Sequence, residues 1–211
     1  MRITSFVLLT LGALVVAGYA IAAYMAFPLG SLVHPDMKAA FRLHRMGILT
    51  HIFCSALALA IGPWQFVEAV RRKWPRIHRW MGRVYLGLGV LPGGAAGLYM
   101  SIYAFGGTVS HVGFALLAVV WLWTGWMGYA AARRRDFVSH RVWMIRNFAL
   151  TFGAVTLRIQ LGASFAMGWR FEDFYPWLAW TSWVPNALIA EALVRWRRGR
   201  VSPTAGGGPD R

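Results

Sequence analysis

Six stretches of this 211-residue chain run for about twenty residues with few or no charges, the length an α-helix needs to cross roughly 30 Å of hydrocarbon. They fall at about 6–27, 46–70, 84–104, 109–132, 142–168 and 177–194. Within lipid each peptide group must be bonded inside its own segment, so runs of this kind imply transmembrane helices. With 58% hydrophobic residues, 12 Trp and only 14% charged residues, no single soluble core could hold the apolar side chains. The expected fold is an all-α integral membrane protein, one six-helix domain over residues 1–200. The first run follows Arg2 and is rich in small residues near its end, yet its uncharged length favours a retained helix over a cleaved signal.

Charge gives the expected orientation. Lys and Arg gather at 71–83, 133–146 and 195–211, whereas 104–110 carries no charge and 168–176 sets Arg170 against Glu172 and Asp173. By the bias of cytoplasmic loops toward Lys and Arg, the basic connections and both termini are expected on the cytoplasmic side of a bacterial inner membrane. The net charge of +15 then reflects this asymmetry and attraction to an anionic inner leaflet, not nucleic-acid binding. The single cysteine, Cys54, excludes an intrachain disulfide and a thiolate-only metal site, and reads as packing within a helix. Residues 201–211 have the composition of a disordered tail.

The chain also repeats itself. Aligning Arg71-Arg72-Lys73 with Arg133-Arg134-Arg135 places Trp64 on Trp126 and His78 on His140, all 62 residues apart, while His51 falls on His111 at a separation of 60. The repeat, 46–104 and 109–168, predicts a central four-helix bundle made from a duplicated two-helix unit. Helices that run parallel would put His51 and His111 in an outer layer and His78 and His140 in an inner one. Paired imidazoles on parallel helices suit the two axial positions of a flat macrocycle, so the spacing points to haem b, one per layer. Small residues at Ser55, Ala58, Ala115 and Ala118 leave space beneath the outer pair, although close helix packing uses the same device. The adjoining Arg79, Arg83, Arg141 and Arg146 are candidates to hold haem propionates, while interfacial anchoring of His-Arg-Trp is the equal alternative for either inner histidine alone.

Arg158 lies well inside the fifth run, where a cation is costly and marks a functional candidate. Its partner is expected to be a propionate, a substrate carboxylate or, if the sixth helix brings it close, Glu191. His34 and His44 read as solvated or interfacial groups. No catalytic residue is assigned.

The run from His78 to Tyr85, with His140-Arg141-Val142-Trp143-Met144-Ile145-Arg146 and Thr156-Leu157-Arg158, resembles the bacterial membrane proteins grouped as domain of unknown function 2306 over roughly residues 45–165. The histidine layout is also similar to transmembrane di-haem cytochromes of the ascorbate-reducible b type. That resemblance implies axial pairs His51 with His111 and His78 with His140, and electron transfer from a quinol or other small reductant across the membrane. The alternative is a haem-free transporter or scaffold binding a small anionic or lipid-like ligand near Arg158. A histidine-ligated copper, zinc or iron site is less well served, because each layer offers two histidines and few carboxylates.

Overall fold

The computed structural model describes residues 3–199, which are helical apart from short connections; the tail expected at 201–211 lies outside the described residues. Five helices are long and apolar enough to cross a membrane: α1 (Ile3–Ala26), α2 (Arg45–Phe66), α3 (Pro75–Ser101), α4 (Gly107–Arg133) and α5 (Phe137–Ala166). The third and fifth begin earlier than the apolar runs at 84 and 142, since helical hydrogen bonding continues into the basic connections at one end. Pro75, with φ preset for a first turn, starts α3. Asp136 accepts a 2.9 Å hydrogen bond from the Ser139 amide and starts α5.

The sixth run departs from expectation. It is two helices, α6 (Phe171–Thr181) and α7 (Val184–Gly199), broken between Thr181 and Val184. Pro185 has no N–H for the carbonyl four residues earlier, that of Thr181. Gln160 of α5 takes that carbonyl instead at 3.1 Å, and its own side-chain oxygen accepts from the Thr181 hydroxyl at 3.0 Å. A freed backbone group in a membrane is tolerated only with such a substitute.

Sequential helices pack as neighbours: α2 on α3, α3 on α4 and α4 on α5, with α1 against α2, α6 against α4 and α7 against α5. Glycines set the closest approaches. A Cβ on Gly89 of α3 would stand 2.8 Å from that of Ala58 in α2, and one on Gly113 of α4 would stand 2.8 Å from that of Ala179 in α6. Small residues at crossings are how membrane helices gain packing without a hydrophobic drive.

Across the middle of α3, α4 and α5 runs a buried polar network. Tyr85 donates to Asn147 Oδ1 at 2.7 Å and lies 2.8 Å from the Thr151 hydroxyl, which also accepts from Trp121 Nε1 at 2.8 Å. Asn147 Nδ2 donates to the Trp121 carbonyl at 2.7 Å and to the Thr124 hydroxyl at 2.9 Å. Tyr85 opens a π-helical turn, Tyr85–Val90, just ahead of Pro92, which lacks the N–H to continue the ladder. Every polar side chain in this network is bonded, so it ties three helices together without leaving an orphan.

Candidate functional site

The histidines at the starts of α3 and α5 lie within electrostatic range of each other. Arg71 is also within range of the His78 ring, and Arg141 within range of Arg71. The His140 ring is fixed by a 2.8 Å hydrogen bond between Nδ1 and the Gly128 carbonyl of α4, which leaves Nε2 open. His78 differs, because its Nδ1 is buried with no partner. Two further polar side-chain atoms share that state, Gln65 Nε2 and Arg71 Nε. The Gln65 amide oxygen lies 3.6 Å from where a Cβ would stand on Gly82, one turn beyond His78 on the same face of α3. Burial, and after it the nearby Arg141 guanidinium, hold Arg71 below its ordinary pKa, while Glu68 acts in the opposite sense. Arg71 stays a cation nonetheless.

Toward the opposite face the two matched histidines have different surroundings. His51 Nδ1 bonds the Gly93 carbonyl of α3 at 2.9 Å, leaving Nε2 open, and its charged neighbour is Arg158. His111 uses Nε2 instead, on the Ala104 carbonyl at 2.9 Å, so its open nitrogen is Nδ1. Gly93 follows His78 by fifteen residues, which sets the two levels roughly 22 Å apart at 1.5 Å per residue.

Arg158 of α5 is partly buried and donates from Nη1 to the Ala154 carbonyl of its own helix at 3.1 Å. Tyr19 and Tyr24 of α1 and Tyr175 of α6 lie within its electrostatic range. Among the described residues no carboxylate forms an ion pair with it. Glu191, considered from sequence as a partner, instead accepts from Nε and Nη2 of Arg146 at 2.9 and 2.8 Å and from Arg195 at 2.9 Å. Arg146 is thereby engaged, with its guanidinium also 4.6 Å over the Trp143 ring. Arg83 lies 5.8 Å over Trp80 in the manner of an interfacial cation–π pair, and Arg79 is within electrostatic range of His78.

The other two histidines are partly exposed and each stacks on an aromatic ring. His44 stacks on Tyr103 at 3.6 Å between centroids and bonds Tyr99 at 2.7 Å, beside a groove of about 640 Å³ between α2 and α3. His34 stacks on Phe171 at 4.2 Å, with Asp36 3.5 Å and Glu172 3.8 Å from its two ring nitrogens. From sequence, Gln65 is one of several polar groups able to contact a quinone or substrate, none singled out by spacing, and Arg71 reads only as part of a basic connection. The two units of the repeat differ nearby, where Trp74 occupies the position, 62 residues earlier, that Asp136 holds as a helix cap.

A family model described as "Predicted membrane protein (DUF2306)" matches residues 48–194. Comparisons with curated proteins and with solved structures found no match.

Proposed function

The chain belongs to the DUF2306 family of membrane proteins, and we propose that within the membrane it binds an acidic amphiphile whose carboxylate or phosphate is held by Arg158. One observation carries this reading: a guanidinium well inside α5 whose only hydrogen-bond acceptor among the described residues is a carbonyl of its own helix. A cation in hydrocarbon is costly without a counter-charge, and the fork of an arginine suits a bidentate oxyanion. Tyr19, Tyr24, Tyr175 and the open Nε2 of His51 supply hydroxyl and imidazole groups around it. The test is thermal stability of detergent-purified protein with palmitate and with dodecyl phosphate as probes. Parent protein is expected to be stabilised by at least one probe, Arg158→Lys to lose most of that gain, and Arg158→Leu to lose all of it while remaining folded. An Arg158→Leu protein that unfolds without ligand, beside an Arg158→Lys protein that binds like the parent, makes Arg158 a structural strut and ends the reading.

A second reading is favoured by the pairing of His78 with His140. Each of His140 and His51 spends Nδ1 on a backbone carbonyl and keeps Nε2 open, as metal-bound imidazoles usually do. In that reading the protein is a b-type cytochrome with up to two haems, moving electrons between a small reductant such as a quinol and an acceptor on the other side. Protein expressed with haem should then show a low-spin six-coordinate spectrum; a colourless preparation with no haemochrome after haem supplementation excludes it. Under both readings the chain lies in the inner membrane with its basic face cytoplasmic, α6 and α7 together forming a sixth crossing beside two copies of one two-helix unit. The distribution of Lys and Arg supports that placement.

A further inference from the structure

Outside the two levels of matched histidines, another group of metal-ligating side chains gathers at the face away from the basic connections. His34 and Asp36 flank Pro35 in the short turn that follows α1, and Glu172 stands in the first turn of α6. Asp36 Oδ2 lies 3.5 Å from Nδ1 of the His34 ring, and Glu172 Oε1 lies 3.8 Å from its Nε2. One ligating atom from each of the three residues lies within 4.8 Å of the other two. Two observations set this group apart from acids scattered on a surface. The His34 ring is held in place, stacked on Phe171 at 4.2 Å between centroids and 11° between planes, with Phe105 at 5.9 Å. Its Nδ1 is buried and makes no hydrogen bond among the described residues, so a fixed ring nitrogen is aimed at the Asp36 carboxylate with nothing completing it.

We propose that His34, Asp36 and Glu172 bind a divalent transition-metal ion, with Zn²⁺ the best fit, at the face opposite the basic connections. Two ligands each about 2.1 Å from a tetrahedral ion stand roughly 3.4 Å apart, and the separation of His34 Nδ1 from Asp36 Oδ2 is already close to that. Glu172, with its side chain 45% exposed and its other oxygen 3.6 Å from Arg170, has room to close the remaining distance. An imidazole nitrogen beside two carboxylates suits Zn²⁺ better than Ca²⁺ or Mg²⁺, which take oxygen ligands, and the two carboxylates balance the charge of the ion. Three protein ligands leave a fourth position open. The ion ties the turn after α1 to the start of α6, two segments far apart in the chain. The site is separate from Arg158 and from the matched histidines, so each assignment can fail alone.

Thermal unfolding of the full chain, free of any tag, treated with EDTA and held in a neutral detergent, is the test, with zinc chloride as probe and calcium chloride as control. An ion that binds only the folded protein raises its Tm, and Zn²⁺ is expected to do so where Ca²⁺ does not. His34→Phe keeps a ring to stack on Phe171 and removes both nitrogens, while Asp36→Asn and Glu172→Gln keep shape and remove charge. Each is expected to raise the Zn²⁺ concentration for half-maximal effect by at least the roughly tenfold that loss of a group merely supporting a metal ligand costs. His44→Gln removes a partly exposed histidine outside the cluster and should leave that concentration unchanged. Without metal, Glu172→Gln should keep the Tm of the parent, because its ion pair with Arg170 is exposed, so the question stays open to test even if His34→Phe folds poorly. The assignment is overturned if Zn²⁺ acts no better than Ca²⁺ or if His34→Phe and Glu172→Gln respond to Zn²⁺ like the parent. It is overturned equally if His44→Gln loses as much as they do, which marks an adventitious ion only.

Discussion

At the scale of single residues, two kinds of buried polar group are present and they differ in what removal should cost. Asn147 is completely buried and each end of its amide is used, the oxygen by Tyr85 and the nitrogen by Trp121 and Thr124. Tyr85→Phe removes one hydroxyl and leaves one acceptor short, an expected loss of about 1 kcal/mol in line with interhelical hydrogen bonds in membranes. Asn147→Leu strands several groups at once and should cost about 2 kcal/mol or more. Reversible unfolding in mixed micelles measures both; equal, near-parent stability would mean the network does not hold α3, α4 and α5 together. Gln65 and Arg158 belong to the other kind, with donors that the protein itself leaves open. Arg158 was legible in the sequence because a charge within an apolar run is conspicuous. The Tyr85, Trp121, Thr124, Asn147 and Thr151 network was not, because hydroxyls and amides within apolar helices have no spacing that shows which way each helix is turned. The Arg146–Glu191 pair was hidden for the same reason, as it depends on the rotation of α7 against α5.

At the scale of helices, the ends carry testable energetics. Beyond α4, Arg135 has φ 62°, the left-handed conformation of a residue just past a helix, and the Asp136 amide reaches back to the Ala131 carbonyl at 3.0 Å. A side chain with a Cβ is strained there, so Arg135→Gly is expected to stabilise the protein by about 1 kcal/mol, read as a rise in Tm. The cap at α5 is ionisable. Hydrogen bonds from Ser139 hold the Asp136 carboxyl below its ordinary value of 3.8, so its contribution is complete above that pH and is lost as pH falls through the lower folded value. The Tm difference between parent and Asp136→Ala should accordingly be constant at neutral pH and shrink only below pH 3.8. A difference that disappears near pH 6 would point to a histidine in place of the carboxylate. Helix starts at Pro75 and Asp136 could be read from the sequence by their residue types, although hydropathy alone places the runs later, at 84 and 142, since it reports the lipid boundary and not the hydrogen-bond ladder.

For the whole molecule, the sequence conveyed the all-helical membrane class and the adjacency of consecutive helices, because length and apolarity leave few other arrangements. It did not convey the break in the last run, where apolarity continues through the turn before Pro185. Topology can be checked by replacing Cys54 with Ser and placing single cysteines at Lys73, Gly106 and Arg195. Lys73→Cys and Arg195→Cys are expected to react with an impermeant thiol reagent from one side, and Gly106→Cys from the other. Labelling of positions 73 and 195 from opposite sides would mean that α6 and α7 do not complete a crossing. The break also bears on how the protein is made. At 11 and 16 residues, α6 and α7 are each too short to span the hydrocarbon alone. In the six-crossing reading they enter the bilayer as a pair, against helices already inserted, and the Gln160 amide on α5 meets the Thr181 carbonyl that Pro185 leaves free. Order of synthesis is thus written into the joint: a helix emerging late is completed by a side chain that emerged before it.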